Sequence, residues 1–181
     1  MKRGALVLAA VFLAACRPAT SAEQDVFPAP KVQPVTAELI TEHASVRPGG
    51  RTRIGVHFEL EDGWHIYAQD SGDAGLPTSI TWSGPAGVSF GALEWHAPQA
   101  FHDPGNINTF GYSGAVTLAS PLTLTKTIPA GASLPIHAKV KWLACHDICI
   151  PGAASLELTL PVLNADPMPS THAELFAQVS P

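Results

Sequence analysis

Short runs in which apolar and polar residues alternate, punctuated by glycine, proline and aspartate, restrict the fold of this chain more than any other feature. In RIGVHFEL, Ile54, Val56, Phe58 and Leu60 fall on one face of an extended strand, and Arg53, His57 and Glu59 on the other. PIHAKVKW repeats the pattern with Ile136, Ala138, Val140 and Trp142, and SLELTLPV with Leu156, Leu158, Leu160 and Val162. Further strands are expected in VTAELITEHASV, WHIYA, TSITWS, GVSFGALEW, GAVTLA and LTLTKTI. A period of two buries one face of a strand but no single face of a helix. The 17 prolines and 15 glycines supply turns between the runs. About nine short strands of this kind predict an all-β fold, an immunoglobulin-like antiparallel β-sandwich. Thr171 and Glu174 stand in capping-box relation before AELFAQV, which predicts a short C-terminal helix with Leu175 and Phe176 against the body.

The first residues, MKRGALVLAAVFLAAC, place Lys2 and Arg3 before an apolar run of about a dozen residues, the length of a signal-peptide core and too short to span a bilayer. Leu13-Ala14-Ala15-Cys16 resembles the lipobox of bacterial lipoproteins, in which the cysteine is lipidated and becomes the N-terminus. Cleavage after Ala22 is the alternative, and under both readings the chain is exported. The expected layout is a signal peptide over 1–16, a proline- and alanine-rich tether over 17–34 and a folded domain over 35–181. As an extended chain the tether spans roughly 50 Å.

Ten basic residues against 15 acidic ones give a net charge of −5; without Lys2 and Arg3, 8 against 15 give −7. No Lys/Arg cluster offers the basic footprint that nucleic acid requires. Membrane contact is expected only through the lipid on Cys16.

Export lets disulfides persist. With Cys16 assigned to lipid, Cys145 and Cys149 in KWLACHDICIPG remain, as a staple, a metal clamp or a redox site. The inward sets of the flanking strands are even-numbered and both cysteines are odd, so both are expected to point away from the core, facing each other near the tip of a hairpin that turns at His146, Asp147 and Ile148. Closing so short a loop removes little unfolded-state entropy, which disfavours a staple. An accessible disulfide is of the labile, exchangeable kind. Protonated His146 favours a thiolate and Asp147 opposes it. Two thiolates beside an imidazole also suit Cu(I), which keeps a copper-handling, metal-tolerance protein as an alternative. A closed zinc site needs four ligands, and no second pair at ligand spacing is present. No metal site is expected. Trp64, Tyr67, Trp82, Trp95 and Trp142 read as packing residues, with Trp142 shaping the cysteine site indirectly.

Two stretches, GWHIYAQDSGDAGLPTSITWSGPAGV (63–88) and VKWLACHDICIPGAASLELTLP (140–161), resemble the N-terminal periplasmic domain of the DsbD and ScsB family of thiol:disulfide interchange proteins, with weaker likeness in FGYSGAVTL and AELFAQV. The resemblance implies an immunoglobulin-like redox domain without a cofactor. It takes electrons from a membrane carrier through a thioredoxin-like protein and reduces disulfides in exported clients. By position, Cys145 and Cys149 match the active-site pair, Cys149 forming mixed disulfides and Cys145 resolving them. The family also places an aromatic cap over the site; QAFHDPGNINTFGY occupies that region, with Phe101, Ile107 and Phe110 as candidates. A stand-alone exported chain is expected, its donor supplied by another protein. A non-catalytic binding module of a membrane reductase is the further alternative.

Overall fold

The computed structural model describes residues 33–103 and 105–177. The expected signal peptide, Cys16 and the expected tether up to residue 32 lie outside the described residues. Among the described residues ten strands run antiparallel: β1 (Val35–Thr41), β2 (Arg51–Leu60), β3 (His65–Gly72), β4 (Ser79–Ser83), β5 (Val88–Phe90), β6 (Gln99–Asp103), β7 (Ile107–Ser113), β8 (Ala115–Leu124), β9 (Ser133–Cys145) and β10 (Cys149–Pro161). One sheet has the order β1-β2-β8-β5; the other has the order β10-β9-β3-β7-β6, with β4 also paired to β9. The two form the expected sandwich.

Alternation sets the core. Ile54, Val56 and Phe58 of β2, Leu118 and Leu122 of β8, Ile66 of β3, and Ile136 and Val140 of β9 are fully buried between the sheets. Each contributes about 1.5–3 kcal/mol by leaving water. Among the described residues no helix is long and apolar enough to cross a membrane.

Three sequence expectations need correction. GAVTLA and the first three residues of LTLTKTI belong to one continuous strand, β8, which ends at Leu124. Pro121 is tolerated inside it because its backbone faces the side where β5 has ended; there its carbonyl accepts from the Gly91 N–H (2.7 Å), and no ladder bond is lost through its missing N–H. QAFHDPGNINTFGY, outside the strands read from the sequence, forms the β6–β7 hairpin, turning at Gly105 and Asn106, both at positive φ (92° and 61°). The C-terminal element is a four-residue 3-10 turn, Ala173–Phe176, without a capping box. Ser170 takes the role given to Thr171: its Oγ accepts from the His172 N–H (3.0 Å) and donates to the Thr41 carbonyl. The turn is held by packing. Phe176, fully buried with Ile40 and Ala119, lies on the outer face of the first sheet against Gly55, where a Cβ would come within 3.2 Å of its ring.

Candidate functional site

β9 and β10 pair along their whole lengths, from Ser133↔Pro161 to Cys145↔Cys149. His146, Asp147 and Ile148 close the hairpin, and the His146 N–H donates to the Ile148 carbonyl (3.1 Å). Directly opposed, the two cysteines are joined by a disulfide with an S–S distance of 2.01 Å and Cα atoms 4.1 Å apart.

Both lie on the outer face of their sheet, yet their surroundings differ: Cys145 is 2% exposed while Cys149 is open to solvent. Topology accounts for the asymmetry. β10 is an edge strand, whereas β9 is flanked on its other side by β3, with His65 opposite Cys145. Strand parity places His65 and Tyr67 on the same outer face as the cysteines. The Tyr67 hydroxyl donates to Cys145 Sγ at 3.1 Å. The His65 ring meets that of Tyr67 edge-on (centroids 5.2 Å apart) and stacks on Phe101 (4.2 Å, 14° between planes). Sequence reasoning placed both cysteines at the surface. Cys145 faces away from the core but is roofed by this aromatic row.

Tyr67 is itself held in place. Its carbonyl accepts from Thr78 Oγ1 (2.9 Å) and from the Thr78 N–H (3.2 Å). Its ring packs against Gly75, where any side chain would overlap it. The sequence reading assigned Tyr67 to packing and did not weigh His65. Parity in WHIYA carried the missing signal, since the odd residues His65 and Tyr67 share a face that core packing does not claim.

Of the other candidates, Phe101 approaches the site through His65. Ile107 sits beside the β6–β7 turn, paired with Asp103. Phe110 lies on the opposite face of β7, near Trp95, His96 and Tyr112. Burial pushes the Tyr112 hydroxyl up to about 12, and it donates to the His96 carbonyl at 2.9 Å. The His146 ring rests over Gly63, 5.8 Å from Trp64, with Nδ1 3.0 Å from Asp147 Oδ2 at the exposed tip. Trp142 points to the core side, edge-on to Phe58 (5.7 Å), its indole lying across Gly152. It anchors the hairpin without meeting the sulfurs. No group of three or more His, Cys, Asp or Glu side chains among the described residues could hold a metal ion.

Thiol–disulfide exchange requires a thiolate to reach one sulfur and the other to leave as thiolate. Of the two sulfurs, that of Cys149 is the one open to solvent, and that of Cys145 lies beneath the Tyr67 O–H.

A β-sandwich carrying a disulfide at the tip of its longest hairpin, with one sulfur accessible and one covered, defines a class of small β-domains built for thiol exchange. Residues 31–161 match the N-terminal domain of the thiol:disulfide interchange protein DsbD, and the chain belongs to that family. Thiol:disulfide interchange is the family's chemistry. Among solved structures, the N-terminal periplasmic domain of ScsB from Proteus mirabilis aligns at 20% identity with a TM-score of 0.59, over 83% of this chain and 56% of that chain. The present chain thus spans little more than half of that one, and the likeness is one of fold. The N-terminal domain of DsbD from Neisseria meningitidis, in the reduced form, aligns at 15% identity with a TM-score of 0.38, over 73% of this chain and 90% of that one. No curated protein matches the chain.

Proposed function

We propose that this chain is an exported thiol-disulfide oxidoreductase module, tethered by a lipid on Cys16. It takes electrons from a membrane carrier or thioredoxin-like donor and passes them to oxidised exported proteins through Cys145 and Cys149. The observation that carries the reading is the unequal access of the two sulfurs. In the reduced chain, the Cys149 thiolate attacks a client disulfide, forming a mixed disulfide and releasing one client thiolate. Cys145, within bonding distance, then attacks Cys149 Sγ and releases the second client thiolate. Two electrons reach the client and the internal disulfide is restored. His146 and Asp147 set the charge that an approaching sulfur meets, Trp142 fixes the hairpin that carries both cysteines, and Phe101 covers the site by way of His65.

Trapping tests this assignment. With an oxidised model client, Cys145→Ser accumulates a mixed disulfide that withstands non-reducing electrophoresis, and Cys149→Ser does not. Accumulation with Cys149→Ser alone would reverse the roles, and accumulation with neither would remove the function.

A further inference from the structure

Near the hairpin tip, between the loop before β4 and the β9–β10 ladder, lies an apolar depression of about 440 Å³, lined by Trp142 and Gly152 as well as by residues of the outer face. Leu76 and Pro77 form one wall and Pro151 and Ala153 the other, with Lys141 and Ser79 among its lining. Its position is tied to the cysteines by register: Cys149, Pro151 and Ala153 are alternate residues of β10, so all three face the same way. Leu76 is 65% exposed, and at the hairpin tip Ile148 is 63% exposed. Leu76 in the depression and Ile148 next to Cys149 leave apolar surface in water near the accessible sulfur, continuous with the apolar lining of the depression as a contact surface would be.

The charge is distinctive too. The chain as a whole is acidic, with a net charge of −5, yet Lys139 and Lys141 both project from this face of β9. Their neighbours across the ladder, Thr81 and Ser155 beside Lys139 and Ser79 and Ala153 beside Lys141, carry no charge. The acid further along β10, Glu157, lies 3.6 Å from His137. Lys141 thus lines the apolar groove, with Lys139 one step further along the same face, on a chain of net acidic charge.

We propose that this groove seats an extended segment of the exchanging partner, on one side of the partner's reactive cysteine, with an apolar side chain between Leu76 and Pro151 and a carboxylate at Lys141. The inference rests on Cys149 being the sulfur that exchanges. Ala153, beside Lys141, lies four residues from Cys149, about 13 Å along the strand. In an extended partner, side chains on one face recur every second residue, so the apolar side chain falls two residues and the carboxylate four residues from its cysteine. The groove also adjoins the resolving half of the site, since Leu76 follows Gly75, the residue against which the Tyr67 ring packs.

The test separates docking from chemistry. Fluorescent peptides carrying Leu and Asp, Leu and Lys, or Gly and Ser at the second and fourth residues from a central serine (Leu-Asp, Leu-Lys and Gly-Ser peptides), on either side of it, are titrated against the oxidised full chain by anisotropy. The same peptides with cysteine, held as a thionitrobenzoate mixed disulfide, are reacted with the reduced chain, and each rate is divided by that of the mercaptoethanol–thionitrobenzoate disulfide. The Leu-Asp peptide is expected to bind and to react about tenfold better than Gly-Ser. Lys141→Glu shifts the preference to Leu-Lys, and Leu76→Ser weakens both charged peptides. Binding without exchange sinks the exchange reading and leaves the groove assignment standing. Exchange at equal normalised rates without binding, or a Leu-Asp preference that survives Lys141→Glu, overturns the groove.

Discussion

The Tyr67 hydroxyl donates to Cys145 Sγ across 3.1 Å, joining residues 78 apart in the chain through neighbouring strands. A hydrogen bond to a thiolate is stronger than one to a disulfide sulfur, because the acceptor carries charge. Tyr67 therefore stabilises the reduced pair more than the oxidised one. Tyr67→Phe keeps the ring and removes the donor, at a cost of ~1 kcal/mol to the reduced state. The expected result is a reduction potential about 20 mV more negative, read by equilibration with glutathione. An unchanged potential would show that the hydroxyl favours neither state.

Phe101 covers His65 with parallel rings 4.2 Å apart, so removing it opens the row that roofs Cys145. Ring contacts of this sort contribute ~1 kcal/mol. In Phe101→Ala, iodoacetamide should label Cys145 in the reduced chain about fivefold faster, the equivalent of that loss. Ile107→Ala should leave the labelling rate unchanged, since Ile107 lies at the far end of its hairpin. Mass spectrometry of the two cysteine-containing peptides distinguishes the outcomes.

Much of this arrangement is legible in the sequence, and the remainder is not for identifiable reasons. The alternation through Ile136–Trp142 and Leu156–Val162 specifies two strands and their buried faces, and the three residues between the cysteines leave room for little but a turn. Together these place Cys145 opposite Cys149. The cover over Cys145 depends instead on β3 lying beside β9, which no local pattern encodes. The β6–β7 hairpin was hidden because its edge strand lacks a clean apolar face, although the Asp-Pro-Gly-Asn run is a turn signal. The capping box failed because burial of Phe176, rather than helix propensity, holds the C-terminal segment.

That anchor gives a stability prediction. Phe176 is fully buried, and the Arg53 guanidinium lies 5.5 Å above its ring. Phe176→Ala leaves a cavity over Gly55 and should destabilise the chain by about 3 kcal/mol in urea unfolding. A loss below ~1 kcal/mol would mean that the turn adds little to the sandwich.

Arg53 also makes stability depend on pH. Its Nη2 and Nε donate to the two Glu42 oxygens (2.7 and 3.2 Å), and these hydrogen bonds hold the Glu42 carboxyl below its ordinary value against the opposing pull of burial. A carboxyl depressed in the folded state stabilises fully above its unfolded value, and the contribution fades as pH falls through the folded one. The stability gap between the native chain and Glu42→Gln should therefore be widest near neutrality and narrow on acidification below about pH 4. A gap constant from pH 7 to 3 would detach Glu42 from acid sensitivity.

Gly75 offers a way to move the Tyr67 hydroxyl without touching the site. Its φ of +99° is one that side chains rarely adopt, and a Cβ there would overlap the Tyr67 ring. Gly75→Ala should cost about 1–3 kcal/mol in stability from the backbone alone. It should also displace the ring and reproduce the negative shift in potential of Tyr67→Phe. A double-mutant cycle isolates the cause, because residues in contact fail to add where they act through one interaction. If Gly75 acts on the sulfurs through the hydroxyl, Gly75→Ala shifts the potential in the native background and leaves it unchanged beside Tyr67→Phe, while the stability loss persists in both. Equal shifts in potential in the two backgrounds would place the coupling between this loop and Cys145 somewhere other than the Tyr67 O–H.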